Sequence, residues 1–585
     1  MEVLDAINDG HFTTEHARFN MEINIDPIVF KNDCLYQLEK QIGTHLQHLQ
    51  QVLSPFEAKP ILTGILPTIR RVDLDDSNLT PSPRHQALSE TMAKLRGESF
   101  EFRIVGADEL ITRHISTMFE GCNTSFQVHL QVNADNFVEK YNWAQAIAGP
   151  VLACCTNSPL LLGKRLWRET RIALFQQSVD TRRPSDAIRE QSARVTFGNR
   201  WLKESLLDIY REDVARYRVL VGAPIEEDAL STLREGKIPQ LKALRVHNGT
   251  IYKWNRACYG ISDNGKPHLR IENRYIPAGP SIVDQVANAA FWLGLMNGLP
   301  EEYKEISRLI DFDDAKTNFL KAARTGMGAQ FKWTGKRMIS SHKLILEELL
   351  PIACEGLRKA NVRKSDIDKY LTIIKERVTT EKTGSQWILD SFAKLKKEGT
   401  KDEALVALTA GIYQQQNTNR PVHKWDPASI EDAGNWMNRY STIEQIMSTD
   451  LFTAQEDDQL TLVASIMDWR HIRHVPVENT KGELKGLITS GLMVHYLNLP
   501  PDKKKDLSVQ DIMVKKPVFV SPETTTIEAI DKMRKYSVGC LPVVKQKKLV
   551  GIVTEHDFVN ISERLLNELN NCNTEGQNKD LEQGS

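Results

Sequence analysis

The 585-residue chain lacks several features that would mark a specialised class of protein. Its formal net charge is only −1, so no global field favours binding to nucleic acid or to an anionic membrane. Its eight cysteines form no CxxC pair, and we interpret them as buried thiols in a reducing cytoplasm. No charged-then-apolar signal peptide opens the chain. We therefore expect a cytoplasmic protein without nucleic-acid or membrane partners.

A long uninterrupted apolar run is also missing. The most apolar window, residues 143–162, is broken by Gly149 and Pro150 and carries Asn157 and Ser158. A membrane-spanning helix needs about 20 mostly apolar residues. The window is therefore predicted to be a buried core segment.

Length and composition predict a globular protein with about three or four domain-sized units. Hydrophobic residues make up 41% of the chain and charged residues 26%, which is ample for sizeable cores. Residues 1–345 mix helical stretches with strand candidates that alternate apolar and polar residues, which predicts an antiparallel sheet with one polar face. The strand candidates are residues 19–25, 100–105, 125–132 and 269–275.

Three further segments follow from the sequence pattern. Residues 346–415 are predicted to form a helical extension. Residues 416–440, rich in Gln, Asn and Pro, are typical of a linker, and residues 567–585 are polar enough to predict a disordered tail.

The region between linker and tail contains an internal repeat. The matched landmarks are Ile446-Met447 with Ile512-Met513, Phe452-Thr453 with Phe519-Val520, His474-Val475-Pro476-Val477 with Cys540-Leu541-Pro542-Val543, and Leu487-Ile488-Thr489 with Ile552-Val553-Thr554. Four landmarks in the same order indicate a duplicated unit of about 65 residues, at residues 441–501 and 506–566. Each copy has the pattern strand, helix, strand, turn, strand, helix, and Thr525 with Glu528 predicts a capping box.

These landmarks resemble a tandem pair of CBS domains, a regulatory module that usually binds adenine nucleotides. In that family a Thr or Ser, followed three residues later by Asp, holds phosphate and ribose. A hydroxyl at a helix start can bind phosphate with help from backbone N–H groups, and a carboxylate can bind ribose hydroxyls. Thr554 and Asp557 match this pattern in the second copy, whereas Leu492 replaces the aspartate after Thr489 in the first.

The resemblance implies an adenine nucleotide at the second repeat and a homodimer formed through the CBS pair. The alternative is a pair that serves dimerisation alone and holds no ligand.

Charged side chains follow strand-like patterns in residues 1–345. Because residues i and i+2 of a strand share a face, Arg270, Glu272 and Arg274 are predicted to line one surface. The same spacing recurs in Gln127, His129 and Gln131. Carboxylate, imidazole and guanidinium groups on one polar face indicate a metal–phosphate site. The alternatives are a surface ion-pair ladder, which would contribute little stability, and a structural histidine.

These strands, together with Asn157-Ser158-Pro159 and the following Arg171, resemble the type 2 glutamate–cysteine ligase family. Its members are carboxylate–amine ligases with a glutamine-synthetase-like core, and the match covers about residues 1–345. The implied fold class is therefore α+β: a glutamine-synthetase-like antiparallel sheet with helices, a helical segment, and two CBS βαββα repeats.

The resemblance also implies a two-step reaction. ATP, as a co-substrate, phosphorylates a carboxylate, usually the γ-carboxyl of glutamate, and an amine then attacks the acyl phosphate. Such chemistry needs Mg²⁺ and arginines that neutralise the phosphoryl group. The substrates would be an amino acid and an amine.

By resemblance, each predicted site residue has a role. The metal ligands are Glu22, His129 and Glu272. Arg274 contacts the phosphate, Arg171 binds the substrate carboxylate, and Arg256 lies on a hairpin that delivers side chains to the site. Asn157 and Ser158 are predicted to bind the cofactor, with a turn or helix cap as the alternative.

One element of the family's pattern is absent. Members open with a Glu-x-Glu strand whose carboxylates help to bind metal beneath ATP, whereas residues 1–7 align with the segment after it. We expect unpaired backbone groups on neighbouring strands and weaker Mg²⁺ binding. The chain is then either N-terminally truncated or a non-catalytic relative, and Glu22, His129, Glu272 and Arg274 favour truncation.

Three functions remain open at the level of sequence. The favoured one is an ATP-dependent carboxylate–amine ligase regulated by adenine nucleotide at the CBS pair. The second is a non-catalytic adenine-nucleotide sensor or scaffold. The third is a structural assembly protein that uses the CBS pair for dimerisation.

Overall fold

The computed structural model describes residues 2–182, 193–222, 224, 227–262, 264–434, 440–449, 451–500, 504 and 507–563. The chain divides into two compact units. The first comprises Met1–Ile69 and Asp73–Ala433, and the second comprises Arg70–Val72 and Gly434–Ser585. The predicted tail, residues 567–585, lies outside the described residues.

A three-stranded antiparallel sheet, here called the central sheet, organises the first unit. Asn255–Ile261 pairs with Pro267–Asn273, which pairs in turn with Val128–Val132. Among the described residues, Val128–Val132 is an edge strand of this sheet. Ala257 and Ile271 point to the buried core from one face. Because side chains alternate between faces, the opposite face carries the polar residues. The α+β architecture with antiparallel pairing predicted from the sequence is confirmed.

Smaller two-stranded sheets surround the central sheet, and the strand predicted at residues 100–105 is confirmed. The antiparallel pairs are Phe12–Thr14 with Met21–Ile23, Phe100–Val105 with Glu109–His114, Leu160–Leu161 with Lys164–Arg165, and Gln330–Lys332 with Met338–Ser340. A parallel pair joins Val195–Thr196 to Tyr252–Lys253.

Residues 143–155 of the apolar window form the C-terminal part of a buried helix, Phe137–Cys155, and the rest of the window includes the strand Leu160–Leu161. All residues of the helix from Tyr141 onward are buried, which confirms the prediction of a core segment. A side chain at Gly149 would lie 3.0 Å from the backbone of Asn318, so glycine permits close packing against the helix Phe312–Thr325. In the described part of the chain, no helix is both long and apolar enough to cross a membrane.

Further helices cover this core. In the first unit they are Glu2–Ile7, Cys34–Leu53, Pro83–Arg96, Thr170–Ser178, Leu206–Arg216, Ala229–Arg234, Lys242–Asn248, Ile282–Asn297, Ile306–Leu309 and Ser341–Leu344. The predicted helical extension consists of Leu350–Lys359, Lys364–Thr380, Gly384–Glu398 and Lys401–Asn417.

Part of the predicted linker packs against this helical extension. Val422, Trp425 and Ala428 are buried in one apolar cluster with Trp387, and the two tryptophan rings meet edge-on with centroids 5.2 Å apart. A few apolar side chains thus anchor part of an otherwise polar segment, whose composition predicts a linker. Residues 435–439 lie outside the described chain.

The second unit contains the two repeats. Their strands are His474–Glu478 with Leu484–Thr489 and Cys540–Lys545 with Lys548–Thr554. Their helices are Ile443–Ile446, Leu460–Arg470, Ser490–Leu497, Val509–Ile512 and Thr526–Tyr536, and residues 555–563 are also helical. The predicted capping box of Thr525 and Glu528 is confirmed.

The two repeats exchange their leading segments. Ile443 and Met447, which precede the first repeat's helix, are buried in the core of the second repeat. Val509 and Met513, which precede the second repeat's helix, are buried in the core of the first. Backbone hydrogen bonds between Ser448 and Ile552 reinforce this exchange.

Candidate functional site

A row of charged residues crosses the central sheet. Glu272 lies on the middle strand, with Arg256 directly opposite on one neighbouring strand and His129 directly opposite on the other. Directly opposite residues share a face of the sheet. Arg274 follows Glu272 by two residues and its guanidinium reaches the same carboxylate. The structure therefore brings together four of the residues predicted from the sequence.

Glu272 is completely buried and is held by both arginines. Its Oε1 accepts a hydrogen bond from Arg274 Nη1 at 2.8 Å, and its Oε2 accepts one from Arg256 Nε at 2.7 Å. Cys258 Sγ also donates to Oε2, at 3.3 Å. Burial alone would raise the pKa of Glu272, but the positive charges of Arg274 and Arg256 outweigh it and lower the pKa to about 2. The carboxylate is therefore ionised at every physiological pH.

His129 completes the row as a neutral side chain. Although His129 is exposed to solvent, the protein atoms around its imidazole ring partly desolvate it and so lower its pKa. The negative charge of Glu272 acts in the opposite direction. A neutral imidazole keeps one ring nitrogen with a free lone pair. His129 can therefore serve as a metal ligand or a hydrogen-bond acceptor.

Three carboxylates elsewhere in the first unit, here called the acidic cluster, interact electrostatically: Glu22 and Glu120 both act on Glu15. Burial, the charge of Glu120 and the hydrogen bond and charge of Glu22 together raise the pKa of Glu15 to about 8. Among the described residues, no lysine or arginine forms an ion pair with any of the three, and His16 Nδ1 lies 3.8 Å from Glu120 Oε2. A divalent cation would relieve this repulsion between carboxylates.

Tyr252 lies beside Arg274 of the charged row. The guanidinium carbon of Arg274 lies 5.9 Å from the centre of the Tyr252 ring. Burial raises the pKa of Tyr252, and the negative charge of Glu120 raises it further, while Arg274 acts in the opposite direction. The charges of Glu120 and Arg274 thus act on Tyr252 in opposite directions.

The predicted metal ligands do not converge on one point. The ligand atoms of Glu22, His129 and Glu272 do not all lie within 4.8 Å of one another. Both oxygens of Glu272 are occupied by guanidinium groups, which would have to move before the carboxylate could bind a cation. Glu22, in contrast, lies beside carboxylates without a cationic partner. The acidic cluster offers the carboxylate oxygens that Mg²⁺ prefers, but the oxygens of its three members do not all lie within 4.8 Å of one another either. The sequence reasoning did not single out Glu15 and Glu120.

Arg171, Asn157 and Ser158 form a separate buried network around Glu169. Arg171 Nη1 lies 3.1 Å from Glu169 Oε1, to which Ser158 Oγ donates at 2.6 Å. The backbone N–H of Asn157 donates to Oε2 at 2.8 Å. Burial raises the pKa of Glu169, whereas Arg171 lowers it. The geometry agrees with the alternative of a structural turn, and the binding roles of these three residues stay predictions.

In the second repeat, Thr554 ends a strand and precedes the helical residues 555–563. Its backbone N–H and its hydroxyl both donate to Asp557 Oδ2, each at 2.7 Å. In the first repeat the Thr489 hydroxyl accepts from the backbone N–H of Leu492 at 3.3 Å. Thr489 and Thr554 thus occupy equivalent positions at the start of a helix. Only the helix after Thr554 carries a carboxylate three residues later, that of Asp557.

Comparison with known proteins agrees with this division of the chain. Residues 443–498 and residues 509–564 each match the CBS domain, so the chain contains a tandem pair of these domains. Residues 1–411 match the model of glutamate–cysteine ligase family 2, and the chain belongs to that family.

Several relatives share part of the chain. A CBS domain-containing protein of Dictyostelium discoideum is 31% identical over 134 residues, which are 21% of this chain and 92% of the relative. The homoserine O-acetyltransferase of Methanohalobium evestigatum is 27% identical over 125 residues, which are 21% of this chain and 24% of that enzyme. This chain thus spans about a quarter of the acetyltransferase.

Two solved structures resemble a part of the chain. The CBS domain pair of protein MJ0100, in complex with 5-methylthioadenosine and S-adenosyl-L-methionine, is 26% identical and covers 21% of this chain and 97% of its own, with a TM-score of 0.20. CBSX2 in complex with AMP is 20% identical and covers 21% of this chain and 98% of its own, also with a TM-score of 0.20.

Proposed function

We propose that the first unit is an ATP-dependent carboxylate–amine ligase that works through an acyl phosphate, with glutamate as the carboxylate donor. Membership of glutamate–cysteine ligase family 2 supports the reaction class. The observation that supports it most strongly is the row Arg256, Glu272 and His129, with Arg274 beside it.

The arginines of the row carry the proposed electrostatic role. Arg274 and Arg256 hold two positive charges in a mostly buried position, where they stabilise the negative charge of a phosphoryl group in transfer. Glu272 acts as a positioning residue, because it fixes both guanidinium groups on one face of the sheet. The same pair of charges would also orient an acyl phosphate.

The acidic cluster carries the proposed metal role. Glu15, Glu22 and Glu120 would hold Mg²⁺ after their oxygens move closer together than they lie in this structure, and Glu15, whose pKa is raised to about 8, would give up its proton when the ion binds. When bound, Mg²⁺ supplies charge neutralisation at phosphate oxygens. His129 remains a candidate ligand at the other end of the row.

Phosphate release tests the ligase proposal. With Mg²⁺, ATP, glutamate and a mixture of amino acids and small amines, the full chain should release phosphate only when both carboxylate and amine are present. Omission of each component in turn is the control. Absence of release, or release that needs neither carboxylate nor amine, would overturn the proposal.

We also propose that the second repeat binds an adenine nucleotide that regulates the ligase. The hydroxyl of Thr554 and the start of helical residues 555–563 would hold phosphate, and Asp557 would bind ribose hydroxyls. The match of both repeats to the CBS domain supports this assignment.

Substitutions at this site should weaken nucleotide binding selectively. Asp557→Ala should lower the affinity for AMP, ADP or ATP by about tenfold or more, since a hydrogen bond to a charged group is worth ~1.5–3 kcal/mol. Thr554→Ala should act in the same direction. Calorimetric titration of the full chain measures the effect, and Thr489→Ala in the first repeat is the matched control. Unchanged affinity in Asp557→Ala would remove the assignment.

Homodimerisation through the CBS pair is part of the same proposal. Trp469 and Ile527 lie on the repeat helices Leu460–Arg470 and Thr526–Tyr536, and each is 73% exposed. Large apolar side chains with this exposure are available to a second copy of the chain.

A non-catalytic adenine-nucleotide sensor or scaffold is the second candidate function. The observation that favours it is the occupation of both Glu272 oxygens by Arg274 and Arg256, which leaves the carboxylate closed to a metal ion. In that case the chain would bind nucleotide at the second repeat and release no phosphate, so the two assays together separate the candidates.

A further inference from the structure

Two histidines and an aspartate, here called the histidine cluster, converge near the start of the chain. They are Asp9, His11 and His45. One potential ligand atom from each lies within 4.8 Å of the others, and no other group of three such residues in the described chain meets this distance. Asp9 and His11 precede the strand Phe12–Thr14, whereas His45 lies on the helix Cys34–Leu53.

The geometry of the histidine cluster is that of a ligand set around one point. His11 Nδ1 lies 2.6 Å from Asp9 Oδ1, and His45 Nδ1 lies 3.9 Å from Asp9 Oδ2. The two imidazole rings have centroids 4.6 Å apart. The backbone N–H of His11 donates to Asp9 Oδ1 at 3.0 Å, which fixes the carboxylate. The side chains are 15–34% exposed, so an ion can reach them from solvent.

A second carboxylate supports His11 from outside the cluster. His11 Nε2 lies 3.4 Å from Asp26 Oδ1. If Nδ1 of His11 binds a metal ion, the opposite nitrogen carries the proton and points to this carboxylate. A carboxylate that accepts from the second nitrogen of a ligating histidine is a recurrent feature of protein zinc sites.

We propose that Asp9, His11 and His45 bind one Zn²⁺ ion. Two imidazoles and one carboxylate suit zinc, whereas Mg²⁺ and Ca²⁺ favour oxygen ligands. With bonds of about 2.0–2.1 Å, tetrahedral ligands lie about 3.3 Å apart. A small rotation of His11 away from Asp9 therefore makes room for the ion, and a water molecule completes the coordination.

The ion would have a structural role in this proposal. Beneath the histidine cluster, Ile7, Phe12 and Leu49 form a small apolar core that joins the N-terminal strand pair to the helix Cys34–Leu53. Zinc adds a second link between the same elements. The strand pair also positions Glu22, which lies opposite Thr13. This inference does not depend on the proposed ligase activity.

Zn²⁺ titration of the full chain, first treated with a chelator, tests the site. Calorimetry should show one equivalent bound, and Co²⁺ should give visible absorption bands that Zn²⁺ abolishes and excess Mg²⁺ does not. Saturating Zn²⁺ should also raise the melting temperature. A chain that binds no stoichiometric Zn²⁺ would overturn the proposal.

Matched variants locate the ion. Asp26→Asn should weaken Zn²⁺ binding by about tenfold, and His11→Ala and His45→Gln should weaken it more. His48→Gln, on the same helix but outside the cluster, should bind as the wild type does. Circular dichroism confirms that each variant is folded. Wild-type affinity in both His11→Ala and His45→Gln would show that the ion binds elsewhere and would refute the assignment.

Discussion

Replacement of Glu272 by glutamine should abolish phosphate release and lower the free energy of unfolding by about 3 kcal/mol. The substitution keeps the shape of the side chain but removes the only negative charge that Arg256 and Arg274 share in the charged row. Two largely buried guanidinium groups then lose their counter-charge, and such a loss typically costs ~3–5 kcal/mol. Without the carboxylate the arginines also lose the geometry in which they would meet a phosphoryl group.

The stabilisation by the Glu272 carboxylate should also appear in the pH dependence of the free energy of unfolding. Because the pKa of Glu272 is lowered from 4.5 to about 2, the group stabilises the fold at pH values above its unfolded pKa. This contribution is lost as the pH falls from about 4.5 towards 2. Urea denaturation at a series of pH values should therefore show a steeper loss for the wild type than for Glu272→Gln in this window.

Glu101→Gln is the matched control for Glu272→Gln. Glu101 also lies on a strand and pairs with an arginine, Arg113, at 2.6 Å, but both side chains are more than half exposed. Its loss should change stability by less than about 1 kcal/mol and leave phosphate release intact. Activity is compared at a temperature at which circular dichroism shows both variants folded. If Glu272→Gln behaved like the control, the role assigned to the carboxylate would be refuted.

The second large effect concerns Arg377, which is 1% exposed. Its Nη2 lies 2.6 Å from Oδ1 of the fully buried Asp284, and its Nη1 donates to Asn288 Oδ1 at 2.6 Å. Asp284 Oδ2 accepts in turn from the backbone N–H of Val422 at 2.9 Å. Arg377→Met should lower the free energy of unfolding by about 3–5 kcal/mol, since it leaves a buried carboxylate without its cation.

A double-mutant cycle by urea denaturation separates the charge effect from packing. Asp284→Leu combined with Arg377→Met should recover part of the loss, because no unpaired charge remains buried. Arg308→Met is the control: Arg308 pairs with Glu305, and the two side chains are 75% and 65% exposed, so its loss should cost about 1 kcal/mol or less. Equal losses in Arg377→Met and Arg308→Met would contradict the argument.

The charged row shows what strand alternation can predict. The spacing of Arg270, Glu272 and Arg274 predicted one shared face, and the structure places Glu272 and Arg274 in direct contact. Sequence alone did not contain the register that sets His129 opposite Glu272, because these strands are more than a hundred residues apart. Pairing between distant strands is decided by how the whole core packs.

The environments of Glu120 and Trp425 could not be predicted from any local sequence pattern. Glu120 lies in the short 3₁₀ turn Met118–Cys122, where no periodicity distinguishes a functional carboxylate from a solvated one. Trp425 is buried within a segment whose composition is typical of a linker. In both cases tertiary contacts determine the environment, and a local pattern does not report them. The duplicated repeats, by contrast, were predictable because self-similarity is a property of the sequence itself.

The exchange of leading segments has a consequence for how the second unit responds to a ligand. Since Ile443 and Met447 complete one core while Val509 and Met513 complete the other, neither repeat can unfold without exposing apolar surface of its neighbour. The pair therefore behaves as one cooperative folding unit, and cleavage between the repeats would not release two self-sufficient halves. A ligand held only at Thr554 and Asp557 would thus also restrain local opening of the first repeat, which lacks the aspartate.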